Sequence, residues 1–290
     1  MASIASIFAL LAIAGFLILS AVKFAKYSKF NQHSRFDLYP VPKEGNGRGE
    51  YGGSYMEEDL WWEKPRSIDH AAELVDMGKE MFFIRKLFIN QPSLWFPSMF
   101  FHGGIYFMML FSVLLLVTAF VPSPVLETIT ATVAVFGFGF GTAGALMLLA
   151  RRATDASLSA YTTPVEYFNL ILVASTLITG IISWLSAANV FEVARSIVTF
   201  NFTELPAIVV VHLILLGIML LYIPASKMGH YVGKFFTFHS VMWNNDPNLP
   251  GSSVNSAVKA SNAAGATVKW GAPHISPAPA PEPEPIAEEA

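Results

Sequence analysis

Histidine is the residue on which redox or ligand chemistry in this chain must rest, because the 290-residue sequence contains no cysteine. His212 and His230 bound the stretch HLILLGIMLLYIPASKMGH, in which Lys227 is the only charged residue between them. On one continuous helix that spacing is about five turns, which would place both imidazoles on one face about 27 Å apart. A third histidine, His102, stands in WFPSMFFHGGIYFMM, where the two following glycines would let a flat ring approach the backbone. An ionisable group in hydrocarbon is costly unless it is partnered, so all three are candidate functional residues. A lone histidine could equally be a structural hydrogen-bonding group; three of them, two on one face, weigh against that. A zinc site would need further ligands, and the middles of the apolar stretches offer no cysteine, Asp or Glu. Two neutral imidazoles can instead fill both axial positions of a b-type heme iron, which makes heme the best fit.

The elements that would position these residues are transmembrane. Charged residues make up 13% and apolar residues 53% of the chain, with mean hydropathy +0.49, far from the roughly 25% charged content of a soluble domain. Five stretches, residues 4–22, 98–121, 125–150, 164–187 and 205–224, reach the ~20 apolar residues a bilayer requires. In hydrocarbon each must satisfy its own backbone donors and acceptors, so the fold class is all-α, an integral membrane bundle of five transmembrane helices. No Lys or Arg precedes the first stretch, whereas Lys23, Lys26 and Lys29 follow it, so it is read as a retained helix rather than a cleaved signal. Carrying that orientation through five spans leaves Arg195 as the only one of the 18 Lys and Arg residues on the outer side. The N-terminus is therefore expected outside and the C-terminus inside, in a multi-pass protein of the cell inner membrane.

The expected organisation is a first transmembrane helix (1–24), a cytoplasmic segment with an amphipathic helix (25–97), a four-helix heme-binding membrane domain (98–235) and a largely disordered cytoplasmic tail (236–290). In the segment 25–97, Ile68, Ala72, Val75, Phe82 and Leu87 share one helical face, with Asp69, Glu73, Asp76 and Glu80 opposite. That helix suits either the membrane interface or a docking surface for a soluble partner. The last span is expected to run on as an amphipathic helix toward Lys234, and the loop NVFEVARSIVTFNFTE is amphipathic as well. The ending PAPAPEPEPIAEEA has too little apolar matter to fold. In GFGFGTAGA a dinucleotide fingerprint is excluded by the apolar helical flanks, and Gly137 and Gly141 instead form a GxxxG pair for close packing. Met108, Met109 and Met219 are expected to be filler rather than ligands. His33, His70, His239 and His274 are expected at the surface, His239 in FFTFHSVMW with the least margin.

FHGGIY with His102, and HLILLGIMLLYIPASKMGH with His212 and His230, resemble the histidine-bearing second and fifth helices of the nitrate reductase gamma subunit superfamily of five-helix b-type cytochromes. The stretch FDLYPVPKE…YGGSY…WWEKPR is similar to the cytochrome b subunit of transmembrane redox complexes of sulfate-reducing and related anaerobes. The first likeness covers the five spans and the second most of the first 100 residues. In the gamma-subunit pattern the second helix carries two histidines ten residues apart, each paired with one on the fifth helix. His102 matches the first of these, and its partner would correspond to His230, giving the heme nearer the inner face. Ser112 occupies the place of the other, so His212 lacks its expected partner. By rise per residue alone His102 could pair with either fifth-helix histidine.

The resemblance implies a membrane cytochrome b subunit that passes electrons between a membrane quinone, menaquinone, and a cytoplasmic iron–sulfur subunit, with a periplasmic multiheme cytochrome c as a further partner. It would be an electron-transfer subunit, not catalytic alone. One heme b is expected through His102 and His230, and Lys227, Lys234, Arg151 and Arg152 are candidates to neutralise its propionates. His212 would be free to hold a quinone carbonyl, to bond a neighbouring helix, or to join a second heme completed by a methionine or a partner. The alternative function is a heme-free structural membrane anchor of a redox complex. Neither net charge −3 nor the distribution of basic residues points to nucleic acid.

Overall fold

A computed structural model of the protein describes residues 1–30, 41–45, 57–64, 67–243 and 249–263. Apart from a one-turn helix at Ala156–Ser159, its α-helices in chain order are α1 (Ala2–Tyr27), α2 (His70–Phe83), α3 (Arg85–Asn90), α4 (Pro92–Phe120), α5 (Pro124–Thr154), α6 (Pro164–Ser186), α7 (Val190–Val198), α8 (Ala207–Ala225), α9 (His230–Phe236) and α10 (Ser253–Ala263). Among the described residues there is no strand, only an isolated bridge between Glu44 and Ile68. α1, α4, α5, α6 and α8 are long and apolar enough to cross a membrane, which makes the architecture that of a multi-pass membrane protein. Three of them begin at proline, Pro92, Pro124 and Pro164, where the missing N–H costs nothing and φ is already helical.

Small residues let the spans approach. α1 turns Ala5, Ser6, Ala9 and Ala12 inward, and Ala5 and Ala9 pack with Val209 and Leu213 of α8. α4 and α5 meet along Gly137, Gly141 and Gly144: a Cβ on Gly137 would lie 2.8 Å from Met108 Sδ, and one on Gly144 2.8 Å from the Phe100 carbonyl carbon. The GxxxG pair is thus a helix-packing device, as in membrane interfaces generally. Phe111, Ala134, Phe138, Val173 and Leu177 form the core between α4, α5 and α6.

Hydrogen bonds tie the ends of the bundle. At one end Lys23 Nζ donates to the Pro224 carbonyl over 2.9 Å and Tyr167 Oη to the Arg152 carbonyl over 2.7 Å. At the other, Arg195 Nε in α7 donates to the Ala119 carbonyl over 2.8 Å and Ser183 Oγ to the Ile208 carbonyl over 3.2 Å. The first end therefore gathers Lys23, Arg151, Arg152, Lys227 and Lys234, and is called the lysine-rich end below.

The last span does not run on to Lys234. Pro224 removes a backbone donor, Ser226 is extended with ψ −175°, and a 3₁₀ turn follows over Lys227–Gly229 before His230 opens α9. His212 and His230 thus lie on two helices, and the argument from one shared helical face does not apply. A π-helical stretch, Thr237–Met242, then delivers Phe238 and Trp243 into an apolar cluster with Val41 and Met77. This cap joins residues assigned by sequence to the tail with residues of the segment 25–97. They are buried because both pieces contribute large apolar side chains that neither could bury alone. Beyond Asn248 the composition gives little apolar matter, yet α10 forms there; the remainder of the tail, His33, His274 and most of the FDLYPVPKE and YGGSY stretches lie outside the described residues.

Candidate functional site

His102 lies on α4 three turns from its start, and His230 opens α9 after the break. The two imidazoles face each other at the lysine-rich end, with ring centroids 6.1 Å apart and planes at 76°. Two imidazole nitrogens each ~2 Å from one metal ion would leave the ring centroids about 6 Å apart, so His102 and His230 are the two residues that could hold such a group.

The protonation pattern also fits. His102 Nδ1 lies 2.7 Å from the Ser98 carbonyl oxygen, which can only accept, so Nδ1 carries the proton and Nε2 keeps its lone pair. Ligating histidines are oriented by such a bond. Burial holds the His230 pKa below its ordinary value; the Lys227 backbone opposes this, and the Lys234 and Lys23 cations add to it. The neutral imidazole is therefore favoured. Among the described residues no three or more His, Cys, Asp or Glu side chains are arranged to hold a metal ion.

The glycines after His102 divide their work. A Cβ on Gly103 would meet only Met99 Cε at 3.9 Å, leaving open space beside the histidine, whereas one on Gly104 would strike the backbone of Phe140 and Gly141. Gly104 therefore serves the α4–α5 contact rather than a flat ligand.

A cavity of about 360 Å³ adjoins His230, lined also by Glu80, Lys86, Gly233, Lys234, Thr237, Phe238 and Met242. Lys234 Nζ donates to Glu80 Oε1 over 2.9 Å, and Glu80 Oε2 accepts from the Lys86 backbone N–H over 2.7 Å. Both ammonium groups lie over the Phe238 ring, Lys86 at 5.8 Å and Lys234 at 6.0 Å from its centroid. Of the four cations singled out from sequence, Lys234 is the one that lines this cavity. Arg151 pairs with Asp155 at 3.4 Å, Arg152 donates to Thr162 at 3.1 Å, and Lys227 lies in the turn before His230.

Sequence reasoning missed Lys86 and the role of the α2 acids. Glu73, Met77 and Glu80, at intervals of four and three, form the buried face of α2. Glu73 accepts from His239 Nδ1 over 2.8 Å and lies 3.3 Å from His70 Nδ1. His239, expected at the surface, is instead half-buried, and its Nε2 is buried without a hydrogen-bond partner. The helical spacing of the acids was visible; their partners, 154 and 166 residues away, were not.

His212 stands apart from this site. Its Nδ1 lies 3.3 Å from Thr179 Oγ1, and the hydroxyl donates to the Ser175 and Thr176 carbonyls, so the imidazole N–H can donate to the hydroxyl oxygen. A Cβ on Gly180 would lie 3.1 Å from His212 Cε1, so the ring packs against the α6 backbone. Ser112 is exposed and returns its hydroxyl to the Met108 carbonyl over 2.8 Å. Comparison of the chain with protein-family models, with curated proteins and with solved structures finds no match to any of them.

Proposed function

We propose that this chain is the membrane cytochrome b subunit of an anaerobic respiratory complex, carrying electrons between a membrane quinone, menaquinone, and a cytoplasmic iron–sulfur partner. The observation that carries the reading is the His102–His230 pair at 6.1 Å, with the His102 Nδ1 proton committed to the Ser98 carbonyl. These two residues would hold the iron of one heme b, which supplies one-electron redox chemistry when bound. Lys86 and Lys234, the latter paired with Glu80, line the cavity beside His230, where their charge would suit carboxylate groups. The sequence resemblance to nitrate reductase gamma-like cytochromes supports the same assignment. The cation bias supports a cytoplasmic lysine-rich end in a cell inner membrane. Without cysteine the chain can supply no thiolate ligands to an iron–sulfur cluster, so the partner there would be a separate subunit; a periplasmic multiheme cytochrome c is the further partner proposed at the other end.

The test is the absorption spectrum and heme count of the protein purified from a heme-competent host. A reducible b-type spectrum with about one heme per chain is expected, lost in both His102→Ala and His230→Ala because six-coordinate iron needs both ligands. A colourless preparation would favour the heme-free structural anchor, a reading that the bonding of His212 to Thr179 accommodates. An unchanged low-spin spectrum in both variants would sink the ligand assignment.

A further inference from the structure

α2 is amphipathic with its polarity reversed relative to a water-soluble surface helix. It turns Glu73, Met77 and Glu80 toward the rest of the chain and leaves Leu74, Val75, Phe82 and Phe83 exposed. α3 continues that surface with Phe88 and Ile89, and exposure reaches 61% at Phe83 and 63% at Ile89. Large apolar side chains exposed together in this number mark an interaction site.

Two hydrogen bonds fix the level at which this surface lies. Trp95 Nε1 donates to the Phe83 carbonyl and Tyr106 Oη to the Met81 carbonyl, each over 2.7 Å, so the end of α2 sits beside α4 between those two residues. The Phe82 ring packs edge-on against Tyr106, with centroids 5.8 Å apart. α4 has 29 residues, about 43 Å of helix against a hydrocarbon core of about 30 Å. Its far end turns tightly into α5, from Val121 to Ser123, so the excess, about nine residues, projects at the lysine-rich end. Trp95 falls within that excess, where interfacial tryptophan belongs. The exposed apolar residues of α2 and α3 are thus level with the membrane boundary and continuous with exposed Phe96 and Phe100 on α4.

We infer that α2 and α3 form a collar immersed edge-on in the lipid interface, with their exposed apolar face in contact with acyl chains. The occupant is lipid because the face continues the lipid-facing side of a spanning helix at the same depth. Lys79, exposed beside this face, can extend its ammonium to the headgroups while its stem stays apolar. Glu80 and Glu73 of α2 are spent on Lys234 and His239 rather than on water, and Asp76 pairs with Arg85. Lipid would thereby hold α2 across the cavity beside His230. Because immersion is apolar, neutral lipid suffices and salt does not reverse it.

The absence of native cysteine allows a direct test on the full chain. Nitroxide labels at Val75→Cys, Phe83→Cys and Ile89→Cys are compared in phosphatidylcholine vesicles with Met109→Cys, an exposed site within α4, and with Ser159→Cys, exposed in the short helical turn between α5 and α6. Expected is an oxygen-to-nickel-chelate collision ratio several-fold above that of Ser159 and below that of the deeper Met109, unchanged in high salt. Ready access of the chelate to all three sites would overturn the proposal in favour of a water-facing surface. Protection from both reagents would overturn it in favour of a protein cover. Neither outcome bears on heme binding.

Discussion

The sharpest consequence of the packing concerns Gly104. A Cβ placed there would lie 2.8 Å from the Phe140 carbonyl carbon and closer still to the Gly141 N and Cα. All three obstacles are backbone, so no side-chain rotation relieves them. Bringing Phe140 alone to an ordinary 3.4 Å requires α4 and α5 to part by at least 0.6 Å, and Gly141 demands more. Overpacking of this kind costs typically ~1–3 kcal/mol. Alanine in a helix interior recovers ~0.5–1 kcal/mol of backbone entropy, which partly masks the cost. Gly139 supplies the control, since a Cβ there meets nothing within 4 Å. The entropic gain is common to both substitutions, so the difference between Gly104→Ala and Gly139→Ala isolates the steric cost. The expected gap in unfolding free energy is about 1–3 kcal/mol, read by denaturant titration in mild detergent with helical circular dichroism as the signal. On the proposed heme ligation by His102, two residues from Gly104, heme content should fall with Gly104→Ala and not with Gly139→Ala. Equal stability of the two variants would refute the close α4–α5 contact and the division of labour between Gly103 and Gly104.

Lys234→Met leaves the Glu80 carboxylate, whose side chain is 9% exposed, with only the Lys86 backbone N–H. The expected loss is roughly 1–3 kcal/mol, below that of a fully buried pair because Lys234 is itself 30% exposed. Adding Glu80→Gln should recover part of it, and an additive double mutant would refute the pairing. For His212→Ala, retention of one heme with quinol-linked reduction impaired would place the quinone at His212, and loss of a second heme would make it a ligand. With Thr179 already 3.3 Å from its ring, the expected result is an unchanged heme count and a modest loss of stability. In intact spheroplasts, protease added outside should leave residues 25–97 and the C-terminal tail uncut, while inverted vesicles expose both; external cleavage would reverse the orientation drawn from the lysines and arginines.

The five spans were legible because hydrocarbon imposes one requirement on every residue in a row, and hydropathy is a local property of sequence. Their ends matched to within a few residues at α6 and α8, whereas α4 begins at Pro92 rather than 98, since a span can project beyond the core without a change in composition. The candidate histidines were equally legible, because an imidazole within an apolar run is conspicuous wherever it lies. Their arrangement was not. The pattern HLILLGIMLLYIPASKMGH contains its proline and serine in plain view, yet only the folded chain decides that Ser226 is extended and that His230 starts a new helix. Nor could sequence turn the acidic face of α2 inward, because Glu80 and Lys234 meet across 154 residues. Periodicity records which residues share a face; the tertiary structure decides what that face meets. Gly104 shows the same limit: HGG announces that space is needed beside His102, and only the approach of α5 determines that one glycine accommodates a neighbouring backbone while the other leaves the histidine open.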